Sequence, residues 1–342
     1  MPMQMPRKSA LLFAATALCA LALASCGGND DSGSGTITVY SGRSEELIGP
    51  LVSRYEARSG NDVEVRYGDT AELASTILEE DDKSPADVFF SQDAGALGAL
   101  EKEGLLAQLP ADVVDDVDPR YRSRAGRWVA TSARARVVAY NRDRVKRSEL
   151  PRSILDFTDE RWKGRIGWAP TNGSFQAFVT ALRLLKGEDA ARKWLEGIVA
   201  NDPEVFDDNE PIRDALGKGE LDVGFINHYY VAQARAKEGA EYPVEVYFPP
   251  GGDPGSLVNV AGIGILESSD QQEEAERFTR FMHSREAQEH FARDVKEYPV
   301  AAGVAADRRL VPLERIQQPR LDLSNLDDLR GTLKLIQESG AL

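Results

Sequence analysis

Two cysteines and three histidines are all that 342 residues carry. So few soft or borderline donors exclude Cys/His metal clusters and a disulfide framework. Basic charge is also short, since 41 Lys and Arg stand against 56 Asp and Glu, a formal net charge of −15. A chain this acidic lacks the clustered cations that grip a phosphate backbone, so nucleic acid is not an expected partner. Catalytic signatures are scarce. There is no G-x-S-x-G elbow and no H-E-x-x-H. His228, His283 and His290 are the only histidines from which a Ser–His–acid triad could be built. His283 and His290 fall seven apart on a charged helical pattern and read as a solvated face. Asp and Glu are plentiful, so counting alone leaves a paired-carboxylate hydrolase open.

What is present supports sizeable cores: 42 % apolar and 8 % aromatic residues, in a length that suits about two domains of roughly 100–200 residues each. The first 25 residues read as a signal peptide. Arg7 and Lys8 form a positive start, and an uncharged apolar stretch from Ala10 to Ala24 follows. It is shorter than the roughly 20 residues of a membrane-spanning helix. Leu23-Ala24-Ser25-Cys26 resembles a bacterial lipobox, which makes the Cys26 thiol the expected lipid attachment point. Cys19 would leave with the leader. Residues 26–35 then form the lipidated Cys and a polar tether, Gly-Gly-Asn-Asp-Asp-Ser-Gly-Ser-Gly. The expected location is extracytoplasmic, anchored to the cell membrane as a lipoprotein.

The body repeats one rhythm: a short β-rich run, a small polar loop, and a helical pattern directly after it. Ile37–Tyr40 runs into Ser41-Gly42-Arg43-Ser44, and Val63–Tyr67 into Gly68-Asp69-Thr70. Val88–Phe90 runs into Ser91-Gln92-Asp93, and Ile166–Trp168 into Thr171-Asn172-Gly173-Ser174. Val205-Phe206 leads to Asp208-Asn209, and Val223–Ile226 to Asn227-His228-Tyr229-Tyr230. Alternation of this kind predicts α/β domains with largely parallel sheets. Ligands in such sheets sit at the carboxyl ends of the strands, where helix N-termini offer free N–H groups to an anion. Any one of these polar residues read alone is an N-cap. Long strands are expected at Trp128–Asn141, where Ala-Arg-Ala-Arg precedes an apolar run, and at Ser256–Leu266. They divide the body into a first lobe of 36–135 plus 256–310 and a second lobe of 136–255. A C-terminal tail, 311–342, ends in a helix near Leu326–Glu338.

Tyr229 and Tyr230 follow an apolar strand at the first turn of a helix. Phenolate oxygen is a hard anionic ligand suited to a hard trivalent cation. Spacing alone equally fits two half-buried aromatics at a helix start.

Ile37–Arg43, Ser84–Phe90, Arg134–Asn141, Trp162–Gly167, Asn227–Tyr230 and Glu297–Pro299 together resemble the periplasmic ferric-ion-binding proteins of bacterial iron ABC transporters, the bacterial transferrins. The resemblance runs in order through nearly all of residues 36–340. It implies an α/β, two-lobed periplasmic-binding-protein fold (type II) with a hinge, and no enzymatic activity. It implies Tyr229 and Tyr230 as the metal ligands, and Asn172, Gly173, Ser174, Asn209 and Asn227 as holders of a synergistic anion: carbonate, phosphate or citrate. Gln92 stands where many members place a ligand Glu, Ser44 where many place a ligand His, and Phe175 where some place a third Tyr. Arg43, Ser44, Gln92 and Asp93 are therefore candidate additional contacts, with Asp69 and His228 as weaker substitutes and Arg43 an alternative anion partner. The implied function is capture of Fe(III) by a monomeric, lipid-anchored protein that delivers it to an ABC permease. The missing first-lobe ligands keep an organic or oxyanion ligand (phosphonate, polyamine, thiamine) as the alternative, ahead of an extracytoplasmic enzyme or a sensor lipoprotein.

Overall fold

The computed structural model describes residues 35–342, so the leader, Cys26 and most of the tether lie outside the described residues. In chain order the main elements are β1 (Ile37–Ser41), α1 (Glu45–Ser59), β2 (Val63–Tyr67), α2 (Thr70–Glu80), β3 (Val88–Ser91), α3 (Ala94–Lys102), α4 (Ala111–Val114) and β4 (Val129–Asn141). Then come β5 (Ile166–Trp168), α5 (Gly173–Lys186), α6 (Glu188–Ala200), β6 (Glu204–Val205), α7 (Asn209–Lys218), β7 (Val223–Asn227), α8 (His228–Glu238) and β8 (Val244–Tyr247). The chain closes with β9 (Val258–Ile265), α9 (Gln272–Met282), α10 (Arg285–His290), β10 (Tyr298–Pro299) and α11 (Leu329–Glu338).

The β–loop–α rhythm holds locally because the sequence punctuates it. Asp69 caps α2 by accepting from the N–H groups of Ala71 and Glu72, and Asp93 caps α3 from Gly95 and Ala96. Helices α1 and α7 each end on a glycine in the left-handed region, Gly60 and Gly219.

The sheet is mixed rather than largely parallel. The pairs β1–β2, β1–β3, β5–β6 and β5–β7 are parallel. Strands β4 and β9 run against their neighbours. The physical reason is that a chain crossing between two β/α units and returning must insert strands of opposite direction. Strand β4 carries both crossings. Its residues Val129–Ala135 pair with β9, and Arg136–Tyr140 pair with β7, with β8 along Val138–Asn141 on the other edge. The partner strand changes between Ala135 and Arg136.

Cores form on either side of that change. One gathers β1, β3, β9 and the first half of β4 against α1, α3 and α9. Another is aromatic, built from Phe157, Trp162, Trp168, Phe175, Phe178, Trp194 and Phe225. Alternation along β4 sends Val138 and Tyr140 into this aromatic core and Val137 and Ala139 into a third cluster with α7 and α8. Phe175 is fully buried in edge-to-face contact with Trp168, so it serves the core.

Two expectations need correction, and the tail, assigned to neither lobe from the sequence, finds its place. His283 and His290 do not form a solvated face. Both ring nitrogens of His283 lie 2.8 Å from carbonyl oxygens, of Thr279 and Ala130, and buried His290 reaches the Leu47 carbonyl at 2.9 Å. Helices α9 and α10 turn these rings inward, where charged neighbours in the sequence hide the apolar stripe. Helix α11 starts at Leu329, after a 3-10 turn over Leu323–Asp327, because the Asp328 carboxylate caps it. The tail also belongs to neither core alone: Leu323 and Leu326 pack in the first, Leu335 and Ile336 in the aromatic one.

Candidate functional site

Strand β7 is wholly buried and delivers Asn227, in extended conformation, to the start of α8. Tyr229 and Tyr230 therefore occupy the first helical turn. Their ring centroids lie 4.2 Å apart at an interplanar angle of 31°. Tyr229 is only 4 % exposed and Tyr230 is half-buried. Burial pushes the Tyr229 phenol above its ordinary value and the Glu297 charge adds to it, while the Tyr230 hydroxyl, Arg134 and Arg43 pull it back. Tyr230 is pushed far up, by burial first and then by Tyr229 and Asp208. Both phenols are thus protonated at neutral pH unless a cation replaces the proton.

Beside them the N-termini of α5, α7 and α8 are wired together. Asn172 caps α5 at the Ser174 N–H and donates to Asp208 at 3.1 Å. Asn209, in the first turn of α7, donates to the same Asp208 oxygen at 3.0 Å. Asn227 donates to the Ser174 hydroxyl at 3.1 Å. Beneath them the buried Arg136 donates to the side-chain oxygens of Asn209 (3.3 Å) and Asn227 (3.4 Å) and to the Phe225 carbonyl (2.6 Å). Burial lowers the Arg136 pKa to about 9, so it remains cationic at pH 7. Asn172, Gly173, Ser174, Asn209 and Asn227 thus lie in one connected patch, with a guanidinium and three positive helix ends behind it. This arrangement suits an oxyanion.

The first-lobe candidates are arranged differently. Ser44 is exposed and starts α1 without a capping bond from its side chain. Gln92 accepts from Arg43 at 2.7 Å. Asp93 spends one oxygen on the α3 cap, and Asp69 does the same for α2. Burial raises the Asp93 pKa against the pull of Arg134. Arg43 is engaged within the protein: it forms a bidentate pair with Glu297 at 3.0 and 2.9 Å, fully buried, and its Nε lacks a partner among the described residues. A guanidinium also has no lone pair to offer a metal. His228 is excluded as well. Its Nδ1 accepts from the Ala135 N–H at 3.1 Å, which leaves the proton on Nε2, and its ring stacks on Tyr298 at 4.6 Å. Burial lowers its pKa to about 4. Among the described residues, no group of three or more His, Cys, Asp or Glu side chains is placed to hold a metal ion. The two phenols are a ready pair of hard donors.

Arg134, Arg136, Asp208, Asn259 and Glu297 also line this region, and no motif in the sequence marks them as site residues. One signal was available for two of them: arginines two apart in a strand flanked by apolar residues must share one buried face.

The bacterial extracellular solute-binding protein model matches residues 83–323. The "Fe(3+)-binding periplasmic protein" of Serratia marcescens is 33 % identical over 308 residues, covering 90 % of each chain. The "Major ferric iron-binding protein" of Neisseria meningitidis serogroup B is 33 % identical over 307 residues, 89 % of this chain and 92 % of that one. Among solved structures, iron-bound HitA from Pseudomonas aeruginosa superposes with a TM-score of 0.83 at 34 % identity, covering 89 % of this chain and 99 % of that one. The Trichodesmium IdiA/FutA protein "in complex with iron and citrate ligands" gives 0.75 at 28 % identity, covering 90 % and 99 %. The two-lobed periplasmic-binding-protein fold expected from the sequence is the fold of this chain, and its relatives are solute-binding proteins rather than enzymes. The chain belongs to the bacterial extracellular solute-binding protein family.

Proposed function

We propose that this protein captures Fe(III) outside the cytoplasmic membrane, held by the Tyr229 and Tyr230 phenolates together with an anion on the asparagine patch. It then delivers the iron to an ABC permease. The observation that carries the reading is the pair of phenols packed ring to ring beside the asparagine patch, since hard anionic donors match a hard trivalent cation. The names of the relatives support it. In this reading the lobes are 36–135 plus 256–310 and 136–255, meeting where β4 changes partner, and they close on the ligand. Cys26 carries the lipid that ties the body to the membrane, and the protein works as a monomer.

A polyamine fits poorly, because Arg136 lies beneath the patch and its carboxylate, Asp208, already accepts from Asn172 and Asn209. The test is metal analysis and a visible spectrum of the iron-loaded protein. Bound iron with a phenolate-to-iron charge-transfer band is expected. A colourless protein after loading would refute the ferric reading and promote an oxyanion ligand.

A further inference from the structure

Helix α8 carries the phenols at its head and a different set of side chains along its flank. His228, Val231, Ala232 and Arg235 recur at i, i+3, i+4 and i+7, which places them on one face. That face forms a wall of a cavity of about 610 Å³, inside the roughly 300–1,000 Å³ of small-molecule sites. Val246 of β8 and Phe248 form a second wall, and Tyr298 of β10 with Leu310 and Val311 the third. Tyr229, Tyr230 and the asparagine patch take no part in the lining, so this is a separate space behind the phenol site.

Two donors on the α8 face are unspent. His228 is 2 % exposed. Its Nδ1 edge is turned to the Ala135 N–H, and among the described residues the Nε2–H on the opposite edge has no partner. The Lys296 carbonyl is near it but makes no hydrogen bond. Arg235 Nε is buried and likewise unpaired, while its Nη2 reaches Glu245 at 3.3 Å. Buried donors without acceptors are destabilising, and an occupant of the cavity that supplies two acceptors removes that cost. The charge around the cavity points the same way. Arg142, Arg235, Arg309 and Lys296 stand against Glu245, Asp307 and the solvent-exposed Glu241, four cations to three carboxylates in a chain of net charge −15. The remaining wall is apolar, and Val311 is 37 % exposed beside it.

We infer that this cavity is a second ligand site, for a small aromatic carboxylate with an oxygen at the end of the ring away from the acid group. His228 and Arg235 lie seven residues apart, roughly 10.5 Å along the helix at ~1.5 Å per residue, and the arginine side chain leans back toward the helix N-terminus. The span that remains between the two donors suits a ring substituted at opposite ends. The carboxylate takes a charge-assisted bond from Arg235, the far oxygen accepts from His228, and the ring lies on Phe248 and Val231. The site needs neither iron nor the phenols, so it stands or falls apart from the ferric reading.

4-Hydroxybenzoate is the probe, titrated calorimetrically into the folded, iron-free protein; its oxygens sit at opposite ends of the ring and do not chelate. Acetate supplies the charge without the ring, and phenol the ring without the charge. Wild type should bind 4-hydroxybenzoate at least about tenfold more tightly than either. Arg235→Gln should lose roughly 10–100-fold, the value of a charge-assisted bond. Ala232→Phe fills the cavity from a half-buried position and should abolish binding, with the melting temperature of wild type. If Ala232→Phe does not fold, Ala236→Phe, at an exposed lining position, blocks the same space. A wild type that does not bind the probe, or that holds acetate or phenol as tightly, overturns the site. So does binding that survives both Arg235→Gln and the filling variant, because the probe would then sit elsewhere, as on the asparagine patch.

Discussion

Arg43 and Glu297 lie 254 residues apart in the chain and form a bidentate ion pair, Nη1–Oε1 at 3.0 Å and Nη2–Oε2 at 2.9 Å. The pair joins the loop after β1 to the segment before β10, and β10 itself lies along β4. Ser132 of β4 also donates to Glu297, at 2.6 Å. Three distant stretches of chain thus meet at one carboxylate beneath the phenol site. Removing one partner of such a pair strands a buried charge. Arg43→Met should lower unfolding free energy by about 3–5 kcal/mol, read by urea titration at pH 7. A loss under 1 kcal/mol would contradict the pairing.

The same pair sets an acid limit. Burial raises the Glu297 carboxyl, but Arg43, Arg134 and Ser132 outweigh it and hold the pKa below 4.5. A depressed folded pKa contributes stability that is fully present above the unfolded value and lost as pH falls through the folded one. Melting temperature should therefore fall below about pH 4.5, and Arg43→Met should flatten that dependence.

Phenol removal separates ligand from scaffold. Tyr229→Phe and Tyr230→Phe keep the ring-to-ring contact and delete the donor oxygen. Each should weaken iron colour and affinity with little change in apo melting temperature. The double variant should not retain iron against citrate. Lost stability with intact binding would assign the pair to packing.

Iron uptake should release protons. Both phenols are raised well above neutrality by burial, so each must give up its proton when iron binds. Affinity should rise with pH and acid should strip the metal, as followed by the visible band in a pH titration. A pH-independent affinity would exclude phenolate ligation.

Closure should be visible in solution. Small-angle scattering of iron-free and iron-loaded protein should show a smaller radius of gyration with ligand. Identical profiles would point to a rigid body.

Cys26→Ser should leave the body folded and shift it from the membrane to the soluble fraction, because a lipid is the strong attachment in this reading. A variant that stays with the membrane would remove the lipoprotein claim.

Much of the scaffold was legible because it is encoded locally. Caps such as Asp69, Asp93 and Asn172 act on N–H groups two or three residues away. The strand before each cap is marked by its own apolar run. Helix α6 and strand β8 carry weaker local signals. Half of α6 is polar surface around Trp194, Leu195 and Ile198, and β8 has four residues with only its ends, Val244 and Tyr247, fully buried.

By itself the sequence determined the β–loop–α rhythm, the twin phenols at the head of α8, and the placement of asparagines at helix starts, since each depends on neighbours within a turn or two. Only the tertiary structure decided which charges find partners. Arg43, Arg134 and Arg136 look alike in the chain, yet one is locked to Glu297, one supports Asn209 and Asn227, and one is left with free donors beside Asn259. That outcome depends on strand register, which brings residues 91 to 254 positions apart into contact. It depends too on the cost of burying charge, which falls on whichever group the register leaves unpaired.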